Sequence, residues 1–132
     1  PLNRPKHVLE AGLLGVARDL DLMQTHCEMH ECGIKFSNKS LWMVEATLSI
    51  VESAIQAFFH QENEADILLL HYSGHGGEQG WCLHDGNLSP ERLFDMWERG
   101  TARRRGATLL LVLDSCHAGH WVAAAQQRHA AC

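Results

Sequence analysis

Two residues with reactive side chains, His75 and Cys116, each follow a short run of aliphatic residues, at 67–70 and at 109–113. A free thiol is mostly protonated at neutral pH, and the thiolate is the form that acts as a nucleophile. An imidazole beside a thiol can take up its proton, or stand charged and lower its pKa. This combination of residue types therefore indicates a thiol–imidazole dyad, which is the chemistry of a cysteine hydrolase.

The segments that must position this pair are typical of buried strands in a parallel sheet. Each run is short and aliphatic, and each is ended by glycine and small polar residues, at 71–77 and at 114–119. The active site of an open α/β sheet lies outside the carboxyl ends of its strands. Neighbouring strands lie about 4.8 Å apart. We therefore predict that the two strands are neighbours and that His75 and Cys116 face one cleft.

The rest of the chain alternates between predicted helices and strands. Apolar residues at three- and four-residue steps predict a helix from residue 8 to about 32. A short strand is expected at 33–36, and a second helix capped by Ser40 is expected to turn six apolar residues inward. Those six are Leu41, Val44, Leu48, Val51, Ile55 and Phe58.

The segment between the two reactive residues carries three further signals. Residues 81–86 predict a small hairpin arm, and Ser89-Pro90-Glu91 predicts the start of a third helix with proline at its first position. Residues 100–106, which include the basic run 103–105, are expected to form a solvated loop. Alternation of helix and strand implies an α/β fold with a parallel sheet and helices on both faces.

Length and composition are those of one globular domain. A chain of 132 residues with 45% hydrophobic and 20% charged residues can bury roughly two thirds of its unfolded surface. The net charge of −5 gives no reason to expect nucleic acid as a partner, and no apolar stretch approaches the ~20 residues of a membrane span. Five cysteines without framework spacing favour a reducing compartment, so the cytoplasm is the expected location.

The two strand-end motifs together resemble a known family. His-Tyr-Ser-Gly-His-Gly at 71–76, followed by Asp-Ser-Cys-His-Ala-Gly at 114–119, is similar to the large catalytic subunit of the caspase fold, and especially to metacaspases and paracaspases. Residues 15–23 are similar to the start of that family's first helix, and the resemblance covers about 14–122. It implies a caspase-like three-layer α/β sandwich with a mostly parallel sheet, in which residues 1–132 form one large-subunit domain.

Two departures from the family bear on that implication. The family's first strand is not plainly present, and 8–14, its only candidate, fits a helix as well. The chain ends sixteen residues after Cys116, where the family continues into a small subunit that adds two strands and one wall of the substrate pocket. We therefore expect a fragment of a longer chain, with a small-subunit segment as the partner that completes the fold.

The resemblance also implies roles for individual residues toward a peptide or protein substrate. Cys116 would attack the peptide carbonyl, His75 would protonate the leaving amine, and the backbone N–H groups of Gly76 and Cys116 would form the oxyanion hole. Asp19, Ser73 and Asp114 match residues of a pocket that pairs with a basic P1 side chain, so cleavage after Arg or Lys is expected. Simpler structural roles remain open for these three: Asp114 and Ser73 as turn residues, and Asp19 as a carboxylate at a helix N-terminus.

Two other classes of function compete with this interpretation. Four residues of zinc-binding type, His26, Cys27, His30 and Cys32, lie close together in the sequence. They include no Cys-x-x-Cys pair, so neither a metal nor another cofactor is expected, and no acidic cluster at 121–125 supports calcium activation. A non-catalytic, caspase-like adaptor is favoured by the missing strands and opposed by the intact pair of His75 and Cys116.

Overall fold

The computed structural model describes residues 18, 21–23, 25–26, 46–60 and 66–130. The described residues between 18 and 26 are helical, in agreement with the first predicted helix. Several predictions concern residues outside the described ranges. They are the strand at 33–36, the cap Ser40 with the inward residues Leu41 and Val44, the candidate Asp19 of the P1-binding (S1) pocket, and the zinc-type residues Cys27, His30 and Cys32.

The described part of the chain contains five strands and four further helices. The strands are β1 (Ile67–Ser73), β2 (Gly76–Gly77), β3 (Gly80–Cys82), β4 (Asn87–Leu88) and β5 (Thr108–Asp114). The helices are α1 (Leu48–Phe59), α2 (Pro90–Arg99), α3 (Thr101–Arg104) and α4 (Ala118–Ala130). Within this part, no helix is both long enough and apolar enough to cross a membrane.

The two predicted strands, β1 and β5, are parallel neighbours, as expected. Their register runs from Ile67 opposite Thr108 to Ser73 opposite Asp114. The other three strands form a separate antiparallel sheet in the order β2-β3-β4. The predicted hairpin arm corresponds to β3 and β4, whereas the pairing of β2 with β3 was not predicted because β2 contains only glycine. The chain thus has a mixed α/β fold in which β1 and β5 form the parallel sheet.

The faces of the parallel pair differ in burial because side chains alternate along each strand. One face packs against the core, and it carries Leu68, Leu70, Tyr72, Leu109, Leu111 and Leu113. On the other face, Ile67 is 63% exposed and Leu110 is 48% exposed. The sequence predicted buried strands, and this holds for one face because the core residues of α1, α2, α3 and α4 all pack against that face.

Helix α1 begins later than predicted. Its N-cap is Thr47, whose side-chain oxygen accepts a hydrogen bond from the backbone N–H of Ile50 at 3.3 Å, so the predicted cap at Ser40 is wrong for this helix. Asp85 adds a second cap, because its Oδ1 accepts from the N–H of Leu48 at 2.7 Å. The buried stripe, at four-residue steps, is Val51, Ile55 and Phe59.

Helix α2 begins as predicted, with Pro90 at its first position and Ser89 as N-cap. The Ser89 hydroxyl accepts from the N–H of Arg92 at 3.1 Å, and the Arg92 side chain bridges to Glu52 of α1 at 3.1 Å. The predicted loop at 100–106 is partly wrong because it contains α3, whose Ala102 is fully buried in the core.

Helix α4 was not predicted, because its alanine-rich segment lacks a regular apolar stripe. Two of its side chains, Trp121 and Ala124, are buried. Arg128 ties the helix to α2 through Asp95 at 2.7 Å and Glu98 at 3.0 Å. These contacts fix the C-terminal end of the helix that begins two residues after Cys116.

Candidate active site

The parallel register brings the two reactive residues to the same end of the sheet. Ser73 and Asp114 are the last residues of β1 and β5 and lie opposite each other. The N–H of Gly74 continues the ladder by donating to the carbonyl oxygen of Asp114 at 3.2 Å. His75 and Cys116 each follow two residues after the end of their strand. Both residues therefore lie at the carboxyl edge of the strand pair, as the sequence predicted.

Gly76 packs directly against the Cys116 turn. A Cβ built on Gly76 would overlap the carbonyl oxygen of Cys116 and would lie 3.0 Å from Oγ of Ser115. Glycine is required at position 76, because the Cys116 turn itself occupies the space that a side chain would need.

The backbone of His75 is held from two sides. Its carbonyl oxygen accepts hydrogen bonds from the Tyr72 hydroxyl at 2.6 Å and from the N–H of Cys82 at 2.9 Å. Burial raises the pKa of Tyr72 to about 12, and the nearby Cys82 thiol adds to the shift. The Tyr72 hydroxyl therefore stays protonated, and able to donate, throughout the physiological pH range.

An aromatic stack connects the strand that precedes His75 with the helix that follows Cys116. Tyr72 stacks on Trp81 with 4.4 Å between ring centroids and 7° between planes, and Trp81 stacks on Trp121 at 4.6 Å and 24°. Phe94 contacts Trp121 edge to face, with 6.2 Å between the ring centroids. Both tryptophans are buried, with 2% and 3% of their surface exposed. Sequence reasoning missed this stack because its members come from β1, β3, α4 and α2.

The reactive side chains themselves are open to solvent. His75 and Cys116 are both exposed, and Cys116 is a free thiol. Among the described residues, no hydrogen bond joins the imidazole to the thiol. Catalytic hydrogen bonds are often long in the absence of substrate and tighten only in the complex. The arrangement thus presents a thiol and an imidazole at one edge of the strand pair, with no hydrogen bond between these two described residues.

The turn after the thiol is sharp. His117 has φ 59°, the one non-glycine residue of the described chain in the left-handed region. Its carbonyl oxygen accepts from the N–H of His120 at 3.0 Å, and the two rings lie 5.3 Å apart. This turn reverses the chain from β5 into α4 and leaves Cys116 exposed at its tip.

Two of the three predicted S1 residues lie together. Asp114 is exposed and Ser73 is half-buried, and they share the face of the strand pair opposite to Tyr72 and Leu113. The third, Asp19, lies outside the described residues. The structure therefore places one exposed carboxylate and one hydroxyl beside the two reactive residues.

An open cleft of about 420 Å³ lies between α4, residues 78–79 and the start of α2. Its lining includes Glu78, Glu91, His120 and Gln127. The described residues contain no group of three histidine, cysteine or carboxylate side chains that could hold a metal ion.

Comparison with known proteins adds one finding. The family model of the caspase domain matches residues 10–131, which include both strand-end motifs. No curated protein and no solved structure matches the chain.

Proposed function

We propose, since this chain belongs to the caspase domain family of cysteine peptidases, that it is a cysteine endopeptidase with His75 and Cys116 as its catalytic dyad. The observation that carries the proposal is the register of β1 and β5. Ser73 and Asp114 end the two strands side by side, and the two reactive residues follow at equal distances along the chain. A base and a nucleophile are thereby presented at the edge where α/β sheets build active sites.

The proposed reaction forms and then breaks a thioester. Sγ of Cys116 attacks the carbonyl carbon of the scissile peptide bond, and the thiol proton passes to the imidazole of His75. The imidazolium gives this proton to the leaving amine as the C–N bond breaks. Water then attacks the thioester, His75 takes up one of its protons, and the thiol of Cys116 is regenerated with release of the carboxylic acid.

The oxyanion of the tetrahedral intermediate needs hydrogen-bond donors in fixed positions. We assign this role to the backbone N–H groups of Gly76 and Cys116. The close packing of Gly76 against the carbonyl of Cys116 supports the assignment, because it holds the two backbone segments in contact.

The proposed specificity is for Arg or Lys at P1, as in the metacaspase type. Asp114 supports this, because its exposed carboxylate lies at the strand end next to the reactive residues. A carboxylate attracts a cationic side chain and repels an aspartate. Ser73 offers a hydroxyl on the same face, and Asp19 is proposed as the second acidic residue of this pocket.

We further propose that a strand of a small-subunit segment adds to the outer edge of β5. Among the described residues β5 pairs with β1 alone, and an unpaired strand edge is a template for another strand. Hydrogen exchange tests this proposal, since outward amides of 109–113 should exchange quickly in the 132-residue chain. Uniform strong protection of these amides would mean that the edge is already paired.

The activity is tested on the longer chain that includes the small-subunit segment, with peptide reporters that carry Arg at P1 and with a thiol alkylator, because the 132-residue piece alone is expected to be poorly active. Cys116→Ala should abolish turnover, whereas Cys82→Ala should retain it. Cys82 is the matched control because, among the described residues, it is the other exposed free thiol. Alkylation should modify Cys116 before Cys82. A folded protein without turnover and without preferential labelling of Cys116 would contradict the proposal.

A non-catalytic adaptor is the second candidate. The observation in its favour is that no hydrogen bond links His75 to Cys116 within the described residues. An adaptor should keep its stability when both residues are replaced, and it should show no turnover with any P1 residue.

A further inference from the structure

The position of His75 depends on one hydroxyl group. Tyr72 lies three residues before His75, and its Oη donates to the His75 carbonyl oxygen at 2.6 Å, which is short for an O–H···O bond. The same Oη lies 3.4 Å from the carbonyl oxygen of Cys82. Since the imidazole makes no hydrogen bond to a described residue, the placement of the ring follows from its backbone.

The tyrosine ring that carries this hydroxyl is itself fixed. It lies flat on Trp81, with 4.4 Å between the ring centroids. Gly74 leaves the room that the hydroxyl needs, because a Cβ at that position would lie 2.8 Å from Oη. Any other residue at 74 would push the hydroxyl away from the His75 carbonyl.

The same ring is connected to the other reactive residue. Trp81 stacks in turn on Trp121, which lies in the first turns of the helix that follows Cys116. The strand before His75, the hairpin after it and the helix after Cys116 are therefore packed through three consecutive rings. A shift of the tyrosine would move the two halves of the site relative to each other.

We propose that Tyr72 is a positioning residue for the dyad, which fixes the backbone of His75 through its hydroxyl and the Cys116 helix through its ring. This inference rests on the proposed function, and it adds a residue that touches neither the substrate nor the reacting atoms. A misplacement of about 1 Å at a catalytic group can lower the rate about 100-fold, so a clamp on the His75 backbone has kinetic consequences.

Tyr72→Phe tests the proposal because it removes the hydroxyl and keeps the stacked ring. We expect kcat on an Arg reporter to fall about tenfold, the equivalent of about 1.4 kcal/mol in the barrier, with KM unchanged within about twofold. The limb of the pH–rate profile that reports the imidazole should shift. Trp97→Phe is the matched control, since Trp97 packs on Phe59 in the core, and it should lower Tm without altering kcat or the profile.

A second measurement does not depend on turnover. The ¹⁵N resonances of the His75 imidazole, assigned by comparison with His75→Gln, should titrate with a changed midpoint or broaden in Tyr72→Phe. The resonances of His129, on the exposed surface of α4, should stay unchanged and serve as the internal control.

The two measurements separate the two proposals. Turnover by the parent protein with unchanged kcat, pH profile and His75 titration in Tyr72→Phe would overturn the positioning role and leave the peptidase intact. An inactive parent protein would contradict the proposed function, and the His75 titration would then decide the positioning role. An unchanged titration overturns it, and a changed one supports it.

Discussion

Ser73 lies directly opposite Asp114 in the parallel register of β1 and β5, so the two strands end side by side. The N–H of Gly74 bonds to the Asp114 carbonyl and carries the pairing one residue further. His75 lies two residues after Ser73, and Cys116 lies two residues after Asp114. One register thus decides the placement of the proposed base, the proposed nucleophile and two of the three proposed specificity residues, Ser73 and Asp114.

His75→Ala should lower turnover by orders of magnitude, because the nucleophile then lacks its base. The effects of substituting a base and a nucleophile that act as a unit are not additive. The variant with both His75→Ala and Cys116→Ala should be no slower than Cys116→Ala alone. Turnover of the three variants on one Arg reporter checks this. Additive losses would mean that the two residues act independently.

Gly76→Ala should destabilise the fold and abolish turnover, since the new methyl group would overlap the Cys116 carbonyl. Overpacking of this kind costs about 1–3 kcal/mol of the free energy of unfolding. The matched control is Gly119→Ala in α4, where an added Cβ meets nothing within 4 Å. That change should not lower the free energy of unfolding, because Gly119 lies in the first turn of the helix and the added methyl group meets no neighbour. Denaturant unfolding measures both, and a neutral Gly76→Ala would contradict the packing described above.

Asp114→Asn should lower kcat/KM for cleavage after Arg by about 10- to 100-fold. This loss corresponds to the free energy of one hydrogen bond to a charged group. The fold should be unaffected because Asp114 is exposed. Asp66→Asn, at the opposite end of the strand pair, is the control and should leave kcat/KM unchanged. Efficient cleavage after Asp, or equal effects of the two substitutions, would contradict the role of Asp114 in the pocket but not the catalytic dyad.

Tyr72 is the only tyrosine of the chain, so its ionisation can be followed by ultraviolet absorbance without assignment. Burial and the Cys82 thiol raise its pKa to about 12 in the folded state, against an ordinary value of about 10. Between about pH 10 and 12 the unfolded chain loses this proton while the folded chain keeps it, so stability should fall as pH rises through that window.

Tyr72→Phe should remove this part of the alkaline loss of stability. An absorbance titration with a midpoint near 10 in the folded protein would show that the hydroxyl is not held as described.

Local signals in the sequence predicted the elements that carry the reactive residues. Aliphatic runs ended by glycine and small polar residues indicated β1 and β5, and the parallel pairing of these strands is confirmed. Ser89-Pro90 indicated the start of α2, which is also confirmed. Such signals can be recognised in the sequence because an aliphatic run and a helix cap each involve only a few neighbouring residues.

Contacts between distant residues decided the rest. Helix α1 begins at Leu48, and two residues cap it. Thr47 immediately precedes the helix, whereas Asp85, which accepts a hydrogen bond from the N–H of Leu48, lies 37 residues away. A cap from a residue that only folding brings close leaves no local signal in the sequence.

The relation between Tyr72 and His75 shows the same division. The sequence by itself determined that a histidine and a cysteine follow two neighbouring strands. Only the tertiary structure decided that the Tyr72 hydroxyl bonds to the His75 carbonyl and that its ring reaches the Cys116 helix through Trp81. Stacking and hydrogen bonding act over a few ångströms in space, whatever the separation along the chain, and no local pattern records them.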